Sequence, residues 1–297
     1  MADGRRHFIK KLSLLVSLVW TGLTCARDSW AQCRPDDFPG SEGIVAAPSR
    51  PVESSAPDPI QVGVTEVETG FTHSWMSGSS TQNAMSNLIK LGAWCNIEVR
   101  WSTNGFVSNT AAGTTESGFG DNALTAQYRF HRETKRVPSL AVGYAVKFPS
   151  ADPLAGLGSG HLDQEAILML SKTVKKASVV INANYFGIGQ GNGVYDTKTE
   201  ITLAVSRPLH KRWGAVGEIY YDSHLNAANA AYGNSTWALT YTINPRLVFD
   251  GGAYVGLSHG AGAPGNSLFV GISYVIGDLY RVSNHRPHPS IAESERN

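Results

Sequence analysis

From Ile60 onward the chain alternates, with bulky apolar residues on one parity and small or polar residues on the other. Val67, Thr69, Phe71, His73 and Trp75 alternate with Glu66, Glu68, Gly70, Thr72 and Ser74. The same period of two runs through Ile97–Trp101, Leu124–Phe130, Leu140–Phe148, Ile201–Val205, Trp237–Ile243 and Leu268–Tyr274. Segments of ~10 residues with this texture suit transmembrane barrel strands, lipid outside and a wet lumen inside. A soluble β-sandwich alternates as well, but its polar face meets bulk water with many Lys and Glu. Here the polar parity is Gly, Ala, Thr and Ser with a few charges of both signs, the composition of a crowded barrel interior. Stretches around Met85–Leu91, Glu165–Ser171, Val179–Tyr185 and Gly214–Tyr221 alternate less cleanly.

Loop lengths give a second test. Short links fall at 93–96, 131–137, 173–176, 208–212 and 244–246. Longer Gly/Ser/Asn-rich links fall at 76–82, 102–117, 149–161, 187–193, 222–233 and 258–266. The two kinds take turns, as short periplasmic turns and longer extracellular loops do in outer-membrane barrels. The fold expected is all-β: a transmembrane antiparallel up-and-down barrel of about twelve strands over residues 60–280, both termini periplasmic. Trp75, Trp94, Trp101, Phe148, Trp213 and Tyr280 sit near strand ends, where interfacial girdles place aromatic rings.

The flanks divide the rest. Arg5, Arg6, Lys10 and Lys11 precede an apolar run from Leu12 to Leu23 and a small-x-small site at Ser29-Trp30-Ala31. That order reads as a signal peptide over residues 1–31, cut before Gln32 or after Ala26. Residues 32–59 carry Pro35, Pro39, Pro48, Pro51, Pro57 and Pro59 and read as a Pro-rich periplasmic linker; the alternative is a partial plug folded back into the lumen. Residues 281–297 form a polar tail. No later segment offers the ~20 apolar residues of a membrane helix. Net charge is +1 and charged residues make up 16%, which leaves no electrostatic case for nucleic acid. Cys25 leaves with the signal. Cys33 and Cys95 then share an oxidising compartment and form a candidate disulfide. No metal-ligand set and no cofactor motif is present.

Several segments resemble one outer-membrane family. They are Leu88-Ile89-Lys90-Leu91-Gly92 followed by Glu98-Val99-Arg100, and Gly118-Phe119-Gly120-Asp121 leading to Ala126-Gln127-Tyr128-Arg129. Pro138 to Gly143 running to Lys147-Phe148-Pro149, and Gly156 to Gly160 with Ser171-Lys172, continue the match. They are similar to the family named for the meta-cleavage pathway of phenol degradation, over roughly Ser49 to Gly277. The resemblance implies a barrel channel for small solutes, aromatic or apolar ones among them, and brings no catalytic set. One departure is that the chain runs past Tyr280 into the polar tail, whereas barrels commonly end on an aromatic residue.

The inward parity collects Glu66, Glu68, Glu98, Arg100, Arg129, Lys147, Glu165, Lys198, Glu200, Glu218 and Asp250. These are the candidates for a pore lining that sets selectivity; ion pairs that brace the wall are the competing role. For a lipid hydrolase the candidates are His73-Ser74 and Ser258-His259. Adjacent strand residues point to opposite faces, and Ser258-His259 lacks an orienting carboxylate. His285 and His288 read as solvated. The function expected is passage of a small-molecule solute, with outer-membrane lipid and the barrel-assembly machinery as partners. A non-transporting envelope anchor is the alternative, and a membrane-embedded lipid hydrolase a weaker one.

Overall fold

The computed structural model describes residues 33–39, 43–76, 79–224, 231–258 and 265–280. The signal segment, the polar tail, Cys25, His259, His285 and His288 lie outside the described residues. Among the described residues there are fourteen strands: β1 (Val64–Trp75), β2 (Thr81–Trp94), β3 (Ile97–Thr103), β4 (Phe106–Ala111), β5 (Thr114–Phe119), β6 (Asn122–His131) and β7 (Ser139–Phe148), then β8 (Asp163–Val174), β9 (Ala177–Gly189), β10 (Tyr195–Pro208), β11 (Trp213–Asp222), β12 (Tyr232–Asn244), β13 (Leu247–Gly256) and β14 (Ser267–Asp278). β4 and β5 form a hairpin attached to β2. The other twelve close a ring in the order β1-β14-β13-β12-β11-β10-β9-β8-β7-β6-β3-β2, with β2 returning to β1. All these pairs are antiparallel, and closure through β1 and β2 leaves the ring without a free edge.

The faces fall as the parity requires. Phe71, Leu124, Tyr144, Ile201, Trp237, Leu239, Val270 and Tyr274 are exposed on the outside. The largest fully buried side chains include Lys90, Gln127, Glu66, Glu68, Glu98 and Glu218, which face the lumen. A soluble domain would invert that distribution. Trp75, Trp101 and Phe148 are exposed toward the long-loop end; Trp94, Trp213 and Tyr280 are exposed toward the short-turn end. The rings therefore form a belt at each end of the apolar band.

Two strands blur for an identifiable reason. On β8 the inward residues Ile167 and Met169 pack on Ala141 of β7, so both parities of β8 read apolar. On β2 the inward set mixes Ala84, Ser86 and Leu88 with Lys90. The hairpin of β4 and β5 spans 106–119, covering most of the stretch expected as loop 102–117 and running two residues past it. Its turn, Ala112-Gly113, has φ of 50° and 82°, the twist that tight hairpins require. Its strands are mostly Ser, Asn, Thr and Glu, so they offer no apolar parity to detect.

Candidate functional site

The described part of the segment expected as a periplasmic linker does not hang outside the barrel. Residues 43–60 thread the lumen, which corrects the linker reading in favour of the plug. The reason is chemical: the segment carries backbone amides and carbonyls that a polar lumen can satisfy one by one. The Ala47 amide donates to Glu66 at 2.7 Å, and the Ser49 and Arg50 amides donate to Glu68 at 2.9 and 2.8 Å. The Glu53 and Ser54 amides donate to Glu218 at 2.9 and 2.8 Å. The Ile60 amide donates to Glu98 at 2.7 Å. On the return path Gln127 donates to the carbonyls of Ala56 and Pro57, and Asn182 both accepts from and donates to the Ser55 backbone. The segment thus passes along β1, β13, β11, β10, β9, β3 and β6 and makes a circuit of the inner wall.

Its one long basic side chain is seated with care. The Arg50 guanidinium reaches Asp250 at 3.4 Å and Ser86 at 2.8 Å. Gly70 and Gly271 lie opposite one another on β1 and β14. A Cβ at Gly70 would fall 2.2 Å from Arg50 Cζ, and one at Gly271 would fall 2.4 Å from its Nε. The two glycines are the floor on which the guanidinium rests.

Most candidate pore residues are therefore occupied. Glu66 and Glu68 share Lys90, at 2.6 and 2.7 Å, and the Lys90 ammonium also donates to the Ala47 carbonyl. Arg100 pairs with Glu98 and donates to Ser55 and Gln127. Arg129 bridges Asp37 and Asp58, at 3.1 and 2.7 Å. Lys147 is held by Asp121 and Asp163, each at 2.8 Å. Lys198 pairs with Asp222 at 2.9 Å, its ammonium 4.3 Å from the Phe186 ring centroid. Glu165 instead lines an open cavity of about 630 Å³ on the long-loop side of the plug, together with Arg50, Glu53, Lys147, Phe186 and Tyr254. Glu200 accepts from Asn184 at 2.9 Å.

Sequence reasoning missed Lys90, Asp222, Arg50 and Glu53. Lys90 becomes legible only through the β1–β2 register, which sets it opposite Glu66. Arg50 and Glu53 lie in the aperiodic segment, where no parity points anywhere.

The ends of the site are also tied. Cys33 and Cys95 are joined as a disulfide, their Cα atoms 5.3 Å apart, at the short turn between β2 and β3. At the other end Asp121 accepts the Ser150 and Ala151 amides and the Lys147 ammonium, which folds loop 149–162 back on the rim. Partial burial works against the Asp121 carboxylate, yet Lys147 and the amides outweigh it and hold the carboxyl below its ordinary range.

His73 and Ser74 do not assemble as a hydrolase pair, and His259 lies outside the described residues. His73 contacts Asn83 at 2.8 Å and stacks edge-on with Trp75, whereas Ser74 bonds Ser267 across the seam. Ser258 accepts the Gly233 amide. A row of Ser223, His224 and Asp196 bridges the ends of β10 and β11, with contacts of 3.2 Å. Its serine oxygen accepts the Thr199 amide, so the row reads as a rim brace.

A closed twelve-strand ring, an apolar outer belt and a charged lumen give the chain the fold of an outer-membrane β-barrel, the fold that channels and porins share. The chain belongs to the family described as "Putative MetA-pathway of phenol degradation", whose model matches residues 49–268. Among solved structures it is similar to an outer membrane channel from Pseudomonas putida F1, with TM-score 0.58 and 13% identity, covering 76% of this chain and 100% of that one. It is also similar to the NanC porin, with TM-score 0.51 and 12% identity, covering 71% and 98%. No curated protein matches it in sequence.

Proposed function

We propose that this barrel is an outer-membrane channel for small solutes, aromatic or apolar ones among them, with both termini on the periplasmic side. The observation that carries the reading is the cavity of about 630 Å³ between the plug and the long loops, lined by both charged and aromatic side chains. A barrel made only to anchor has no use for such a chamber. Glu68, Lys147 and Glu165 line it; the remaining candidates hold the plug or the wall. Similarity in fold to a channel and a porin supports the reading. The periplasmic assignment rests on the short turns and on the Cys33–Cys95 bond, which suits an oxidising compartment. Outer-membrane lipid would surround the apolar belt, and the barrel-assembly machinery would insert it.

One observation favours the anchor reading: residues 43–60 fill much of the lumen. Liposome swelling separates the two. Vesicles carrying the full-length protein are expected to swell in small neutral solutes faster than empty vesicles, with the rate falling as solute size rises. Equal rates would count against a channel.

A further inference from the structure

Exposed charge on this barrel is sorted by end. Lys135 and Arg136 lie in the β6–β7 turn, and Lys175 and Lys176 make the β8–β9 turn. Arg207 lies near the end of β10, Lys211 and Arg212 follow in the β10–β11 turn, and Arg246 sits in the β12–β13 turn. All of them are exposed, and among the described residues no carboxylate pairs with them. Arg132 and Lys172 of the same end are already held, the first by Asp36 and Asp37 and the second by Glu133. Strands β6 to β13 are consecutive neighbours in the ring, so these turns form one arc along the short-turn rim. The remaining short turn, Cys95-Asn96, carries no charge. The long-loop end is the opposite. Its lysines Lys147 and Lys198 are paired with aspartates, and its exposed charges include Glu116 and Asp152.

Two further observations say what the arc meets. The first is depth. Arg207 continues the outward parity of Ile201, Leu203 and Val205, all exposed on the apolar band. Lys175 directly follows the exposed Val174, and Arg212 directly precedes Trp213, whose ring leans on Tyr241 at 4.8 Å. A turn of two residues cannot carry its ammonium groups far beyond that belt, so they sit at headgroup level, with stems on apolar surface and charged heads in the interface. The second is backbone conformation. Lys175 and Lys211 have φ of 56° and 52°, in the left-handed region where glycine and asparagine sit at least cost. Two neighbouring turns thus hold lysine at positions whose backbone favours other residues.

We propose that the arc from β6 to β13 is a docking surface for anionic phospholipid, its lysines and arginines gripping the phosphates of phosphatidylglycerol-type headgroups in the periplasmic leaflet. The proposal rests on the reading that the short turns face the periplasm. Guanidinium and ammonium groups both take phosphate oxygens through charge-assisted hydrogen bonds, and attraction between such residues and an anionic leaflet is strong only within about one Debye length of it. The arc lies inside that distance, which favours a lipid surface over an acidic soluble protein. The bond to lipid would fix the depth of the barrel and the side on which it is held.

The test is native mass spectrometry of the full-length protein in detergent, offered phosphatidylglycerol, phosphatidylcholine, lipid A and a hexaglutamate peptide. Phosphatidylglycerol is expected to be retained over phosphatidylcholine by more than about tenfold, and over the peptide as well. The variant K175N/K176Q/K211N/R212Q should lose that preference. Because asparagine suits the two left-handed positions, the variant should stay folded, which heat-modifiable migration checks. E116Q, at the other end, should keep the preference. Equal retention of phosphatidylglycerol and phosphatidylcholine, or an undiminished preference in the folded variant, overturns the surface. Peptide bound as well as phosphatidylglycerol overturns the lipid in favour of an acidic protein, and lipid A bound in its stead overturns the leaflet. Orientation is read separately, with an impermeant thiol reagent on intact cells carrying K176C. Labelling there with the preference intact sinks the orientation and keeps the contact with phosphate, whereas a shielded Cys side chain with no preference sinks the contact alone.

Discussion

Lys90 is about 1% exposed and lies between two fully buried glutamates. Such a triad is held by mutual attraction against a large desolvation cost, and breaking it leaves charge uncompensated. Replacing Lys90 by Met is expected to destabilise the barrel by ~3–5 kcal/mol, read as a lower temperature for the heat-modifiable gel shift. The triple variant that also carries E66Q and E68Q should regain part of the loss. A Lys90→Met barrel as stable as wild type would show the triad to be idle. The outer face gives a second contrast. Leu239→Arg, placed toward mid-membrane, should cost ~2–4 kcal/mol, while Thr240→Asn on the inward parity should cost far less; equal costs measured by urea unfolding in lipid vesicles would mean that the faces are reversed. At this scale the sequence was legible in direction and silent on partners. Parity points Glu66, Glu68, Glu98, Arg100, Glu218 and Asp250 inward, because a pleat leaves no other choice, and all six are buried. What they hold could not be read, since a carboxylate that grips a backbone amide leaves no mark at the partner position: the amide belongs to Ala47 or Ser49 as readily as to any residue.

Among the elements, the wall strands were readable and the plug was not. Alternation and loop sorting express the local physics of a strand in lipid. The plug is the reverse case: four prolines and no period suit a disordered linker, and only the three-dimensional supply of acceptors inside the lumen makes it ordered. The hairpin β4–β5 escaped for a related reason, as both its faces are polar. The disulfide is the element that fixes the plug at one end, closing a span of 62 residues from Cys33 to Cys95. Mass spectrometry of the unreduced, proteolysed protein should recover a peptide pair joined through these two residues. Free thiols at both positions would remove the tie. Labelling of Cys95 by a membrane-impermeant reagent from outside intact cells would reverse the proposed orientation.

On the scale of the molecule, the sequence disclosed a barrel of about twelve strands because most strands of the ring repeat the same signal and the loops between them alternate in length. Function was less legible, since it depends on how much of the lumen the plug leaves free. In the structure the remaining space is the chamber toward the long loops, and the segment 43–60 stands between it and the short-turn end. A channel built this way should conduct poorly until the segment is removed. The direct measurement is single-channel conductance in planar bilayers of the full-length protein against a variant lacking residues 43–59, both shown to be folded by heat-modifiable migration. A small conductance that rises several-fold on deletion is the predicted result. Silence from both proteins would contradict the channel and leave an envelope anchor, and equal conductance would show that the segment does not obstruct the path.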